Sequence, residues 1–144
     1  MLCVFAVKCI KFSLLSKQYT LGKHERLKSR KKIEALFSGG QRFTIAPFHI
    51  YYRVHKDAEP HSLQAGVSAS KKNFKKATDR NRVKRIMREA YRLQNQGLKE
   101  KIKSNPKSLD LFIIYTGKTI PAYAEVFEKL KPVLQKLGEL YEKA

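Results

Sequence analysis

The chain has 144 residues, 31 of them Lys or Arg and 12 Asp or Glu, for a formal charge of +19 and a sequence pI near 10.1. That length holds one domain with a real core and excludes two comfortable ones. The charge favours a nucleic acid over an anionic membrane, because a full apolar core pattern accompanies the bases and no stretch approaches ~20 uninterrupted apolar residues.

Residues 1–20 are apolar, but no basic residue precedes the apolar run, Lys8 and Lys11 interrupt it, and no small-x-small cleavage site follows, so a signal peptide is not expected. Residues 1–21 read as a poorly ordered N-terminal extension and 22–144 as the folded domain; the alternative is that the extension packs on the domain as a strand. Cys3 and Cys9 read as free thiols of a reducing compartment, the cytoplasm. His24, His49, His55 and His61 form no cluster with metal-ligand spacing, so a metal site is not expected.

Residues 23–37 carry Leu27, Ile33, Leu36 and Phe37 at helical spacing, and Ser38-Gly39-Gly40 supplies the stop, which predicts a short amphipathic helix with a basic first half. From Phe48 to Val54 the period is two: Phe48, Ile50, Tyr52 and Val54 share one face, and His49, Tyr51, Arg53 and His55 the other. An aromatic and basic outer face suits stacking against nucleotides; a tyrosine half-covering a second layer is the structural alternative. A turn at 57–61 leads to a second strand of small residues, 63–70, which another element can approach closely.

The stretch from Asp79 to Arg92 is the most informative. At about 100° per residue, Arg80, Asn81, Lys84, Arg85, Arg88 and Arg92 form one face, with Val83, Ile86, Met87, Ala90 and Gln94 opposite. Arg80, Lys84 and Arg88 repel one another at i,i+4 spacing with only Asp79 and Glu89 nearby, an arrangement that a polyanion relieves. The basic loop 71–76 extends that face, and Thr78 or Asp79 is placed to cap the helix or offset its dipole. The helix is expected to run on past Gln96-Gly97 until Pro106. Residues 109–115 read as a buried central strand, and 121–141 as an amphipathic helix that Pro132 kinks or breaks.

The predicted order is α, β, β, α, β, α, with room for a further short strand around 42–45, and the helices cover one face of a small sheet. The carboxylates are scattered singly, without DxD, HExxH, GxSxG or a Gly-rich phosphate loop, so the chain does not assemble a catalytic group of its own.

The run from Lys71 to Glu89, with Arg80-Asn81-Arg82 following a Ser-Lys-Lys strand end, closely resembles the signature of the protein subunits of bacterial ribonuclease P. Further matches extend over 21–39, 48–52, Gly66-Val67-Ser68 and 110–114. The resemblance implies a two-layer α/β (α+β) sandwich like the second domain of ribosomal protein S5, with a left-handed βαβ crossover. It also implies an endoribonuclease whose chemistry is carried by a catalytic RNA with Mg²⁺ held mainly by that RNA, the protein binding both the RNA and the 5′ leader of precursor tRNA. One monomeric protein per holoenzyme is expected, in the cytoplasm.

Carried onto this sequence, Arg80, Asn81, Arg82, Lys84, Arg85 and Arg88 match the helix that meets the catalytic RNA, and Arg92 extends it. Phe37 and Tyr51 match the aromatic lining of the leader cleft, with Arg53 beside them and Lys71 and Lys72 at its basic strand end. Ile33 stands where many relatives have phenylalanine, so apolar contact replaces stacking there. From the residues alone, a structural ribosomal RNA-binding protein is the alternative, and a protein-only metal-dependent nuclease a third reading.

Overall fold

The computed structural model describes residues 21–56 and 62–144; the cysteines, the N-terminal extension up to residue 20 and the 57–61 turn lie outside the described residues. Helix α1 spans Arg30–Gly39, starting a full seven residues later than the apolar spacing from residue 23 predicts. The backbone just before it is already committed: Leu27 N–H donates to Ala65 O at 3.0 Å and Ala65 N–H to Glu25 O at 2.8 Å, a parallel bridge between Arg26 and Ala65. Leu27 is therefore buried as a strand-edge cover, not as a helical residue. The stop falls where Gly39-Gly40 predicts it. A Cβ on Gly40 would lie 2.3 Å from Leu36 O, so only glycine lets the chain leave α1 directly into the next strand.

That strand is β1, Gln41–Ile45, the short strand for which the sequence left room. It pairs antiparallel with β2, Phe48–His55. With β3, Leu63–Ala69, and β4, Ser108–Tyr115, they form one sheet in the order β1-β2-β4-β3. β4 runs antiparallel to β2 and parallel to β3, so it is paired on both edges as its apolar run predicts. The parallel pair requires a crossover. Two helices make it, α2 at Ala77–Gln94 and α3 at Gln96–Lys103, where one continuous helix was expected. The break is the single buried residue Asn95, at φ −77° and ψ −2°. Its N–H still bonds Tyr91 O, and its own carbonyl receives Lys99 N–H.

Helix α4, Tyr123–Lys143, closes the chain and, of the expected kink or break at Pro132, shows no break. Pro132 is exposed, so water can reach the Glu128 carbonyl that its missing N–H leaves unpaired.

The sheet has two different faces. On one, Phe48, Ile50, Leu109, Leu111 and Ile113 are fully buried under Val83, Met87 and Ala90 of α2 and Val126, Leu130, Val133 and Leu137 of α4. Each such side chain contributes roughly 1.5–3 kcal/mol on burial. Tyr91, which the sequence assigns to neither face of the helix, is also wholly buried, and this drives its hydroxyl above the usual tyrosine range. The expectation that all helices cover one face fails for α1, which lies on the opposite face: Phe37 packs on Tyr51 and Phe112, and Lys32 Nζ reaches Gln64 Oε1 at 3.1 Å. An α1 only ten residues long cannot cover that whole face.

Candidate RNA-binding interface

The strand register orders the second face into rows. Thr44, His49, Ile114 and Ser68 form one row, and Arg42, Tyr51, Phe112 and Gly66 the next. Arg53, Asp110 and Gln64 come third. The ring of Phe37 meets Tyr51 edge-on with centroids 4.6 Å apart, and Phe112 at 5.3 Å. Phe37 keeps 41% of its surface exposed. Ile33 sits one helical turn before it, half-buried, and Arg53 lies two residues beyond Tyr51 on the same strand face, exposed. In the row nearest Lys71 and Lys72, His49 pairs its Nδ1 with Thr44 Oγ1 at 2.8 Å.

The sequence alone does not single out Phe112. Its strand is apolar on both faces, so it reads as continuously buried; the signal that separates the faces is the alternation of Asp110, Phe112 and Ile114 with Leu109, Leu111 and Ile113. The identity of residue 66 is tied to this ring. A Cβ on Gly66 would come within 2.5 Å of the Phe112 ring, so the ring lies flat over β3 only because residue 66 has no side chain.

The basic loop is fixed at both ends. Asn73 Nδ2 donates to Thr116 O at 2.7 Å and Gly117 O at 3.3 Å, and Phe74 is buried. Arg80 Nη1 donates to Phe74 O at 2.8 Å and Lys75 O at 2.7 Å. The N-cap is Lys76, which offers no side-chain bond, so neither Thr78 nor Asp79 caps α2; Asp79 lies in the first turn, where it offsets the dipole. Arg80 thus locks the start of its helix in addition to carrying charge. Lys71 and Lys72 stand exposed at the end of β3.

Along α2 the predicted cationic face separates into parts. Asn81, Arg82 and Arg85 are exposed. Lys84 and Arg88 are half-buried and line, with Arg26, Lys28 and Gly66, a hollow of about 240 Å³. Burial, and then the neighbouring Arg26 and Arg85, pull Arg88 below the ordinary arginine range. Four cations around one hollow raise each other's energy, and an anion placed there lowers it. Arg92 differs, because it is bonded to Glu89, whose carboxyl this bond pulls below the usual range. Arg26 and Lys28 escape a reading of the sequence because the helix predicted over them hides their place at the sheet edge.

Among the described residues no three His, Cys, Asp or Glu side chains converge. None of the described helices is long and apolar enough to cross a membrane. A cationic helix with a fixed basic loop, beside an aromatic sheet face, defines a small α/β nucleic-acid-binding protein.

The family model for ribonuclease P matches residues 21–138. A ribonuclease P protein component of Porphyromonas gingivalis is 29% identical over 120 residues, covering 83% of this chain and 88% of the relative. One from Dictyoglomus turgidum is 33% identical over 121 residues, covering 84% and 92%. In structure, the RNase P protein of Staphylococcus aureus shares the fold, with a TM-score of 0.60 at 22% identity over 80% of this chain and 96% of that one. The chain belongs to the ribonuclease P protein family, and its function is that of the protein component of ribonuclease P.

Proposed function

We propose that the two surfaces divide the work of that component. Helix α2, through Arg80, Asn81, Arg82, Lys84, Arg85 and Arg88, with Arg92 at its margin, holds the catalytic RNA. The second sheet face, through Phe37, Tyr51, Arg53 and Ile33 and with Lys71 and Lys72 at its end, holds the 5′ leader of precursor tRNA. The observation that carries this reading is the Phe37–Tyr51–Phe112 cluster, in which Phe37 meets both other rings on the face turned away from the core. Aromatic planes accept a single strand of bases, and cations beside them accept its phosphates.

On this reading the catalytic RNA, with Mg²⁺ held mainly by it, hydrolyses the phosphodiester. The protein contributes charge neutralisation where two polyanions must approach. It acts as one monomer per holoenzyme in the cytoplasm, with residues 22–144 as its RNA-binding domain. Reconstitution tests it: the purified protein with Mg²⁺ leaves precursor tRNA intact, and cleavage at the mature 5′ end appears when the catalytic RNA is added. Cleavage by the protein alone would overturn the assignment of chemistry to the RNA.

A further inference from the structure

The loop between β3 and α2 carries Lys71, Lys72, Lys75 and Lys76 around only two uncharged residues, Asn73 and Phe74. Like charges so close together push a chain toward extension, so lysines held in one place there need an anchor. The two uncharged residues provide it. Phe74 is buried, with its ring centroid 6.1 Å from that of Tyr115. Asn73 Nδ2 reaches across to the chain leaving β4 and donates to Thr116 O at 2.7 Å and Gly117 O at 3.3 Å. Both carbonyls lie just past Tyr115, the last residue of β4 to pair with β2 and β3, so the Asn73 amide takes the place of a ladder N–H.

The segment that receives this amide is itself tied down. Thr116 N–H and Oγ1 both donate to Pro47 O at 2.9 Å, in the turn between β1 and β2. Tyr115, buried, donates its hydroxyl to Thr119 O at 3.0 Å. On the α2 side, Phe74 N–H donates to Ser70 O at 3.0 Å, and Arg80 holds the Phe74 and Lys75 carbonyls. One side-chain amide thus joins the loop to a frame fixed in the sheet, with Lys71 and Lys72 on one side of it and the first turn of the cationic helix on the other.

We propose that Asn73 is a positioning residue: it touches neither RNA, and it holds Lys71 and Lys72 against the leader at a fixed offset from Arg80, Asn81 and Arg82 of α2. The inference rests on the reading above that these lysines meet the leader. Without the amide the lysines keep their charge and lose their place, so leader binding falls with no change in net charge. A double-mutant cycle on reconstituted holoenzyme tests this, at protein concentrations that saturate the catalytic RNA. Its readout is the leader's advantage, the ratio of Kd values for leaderless and leader-bearing precursor tRNA. Replacing both lysines, Lys71→Ala with Lys72→Ala, lowers that advantage roughly tenfold. Asn73→Ala lowers it about threefold, and added to the lysine pair it costs nothing further, because the side chains it would misplace are already gone. Should Asn73→Ala melt below the assay temperature, Asn73→Ser, whose hydroxyl is one bond shorter than the amide, takes its place in the cycle. Losses that add in full, or an Asn73 variant that keeps the whole advantage, overturn the proposal and leave the leader reading standing. An advantage unchanged by loss of both lysines overturns their assignment to the leader, and the proposal with it.

Discussion

At Gly66 the absence of a single carbon decides where an aromatic ring can lie. A Cβ there would stand 2.5 Å from Phe112 Cδ2, so Gly66→Ala must tilt the ring or push β3 from β4. The expected loss is about 1–3 kcal/mol in urea unfolding. Leader affinity falls along with it, because the displaced ring disturbs the Phe37 and Tyr51 planes. The arginines likewise differ one from another. Arg82 and Arg85 are exposed, so replacing both with alanine leaves the fold intact and lowers the salt slope of catalytic-RNA binding by about two, roughly one for each phosphate that is no longer neutralised. Arg80→Ala behaves differently: it releases the Phe74 and Lys75 carbonyls and also lowers the melting temperature. Equal thermal stability in the Arg80 and Arg82 single variants would contradict this distinction.

At the scale of elements, what the sequence made legible was whatever one face determines. β2 was readable because its alternation separates Phe48, Ile50 and Tyr52 from His49, Tyr51 and Arg53, and the register preserves that division across the sheet. α2 was readable because Val83, Met87 and Ala90 occupy one side and the bases the other. Periodicity failed where the backbone had a competing partner. Leu27 and Ile33 have helical spacing, yet residues 25–27 use their N–H and C=O groups on β3. It failed also in β4, buried on one face by the core and covered in part on the other by α1, so Phe112 could not be told from its neighbours. The exposed, water-accessible Pro132 shows why a helix breaker need not break a helix.

For the molecule as a whole, the sheet separates stability from recognition. One face carries the core under α2 and α4; the other, only partly roofed by α1, carries rings and polar side chains. Truncating an exposed or half-buried ring on the recognition face therefore costs little folding energy: Tyr51→Ala or Phe37→Ala unfolds at nearly the wild-type urea concentration, whereas Leu111→Ala loses about 2–5 kcal/mol. The net charge of +19 makes RNA association salt-sensitive everywhere on the surface, so bulk affinity does not distinguish one binding surface from another. Distinguishing them requires two RNAs that differ only in the segment assigned to the sheet.

The most direct measurement is the ratio of Kd values for leaderless and leader-bearing precursor tRNA on the reconstituted holoenzyme, with wild-type, Tyr51→Ala and the Arg82→Ala, Arg85→Ala double variant. Stacking on one aromatic plane contributes roughly 1–3 kcal/mol per base, so Tyr51→Ala should reduce the leader's advantage about tenfold and leave leaderless binding unchanged. The double variant should weaken assembly with the catalytic RNA and keep the ratio. If Tyr51→Ala weakens both precursors equally, the sheet face does not hold the leader and the division of labour proposed for this protein is wrong.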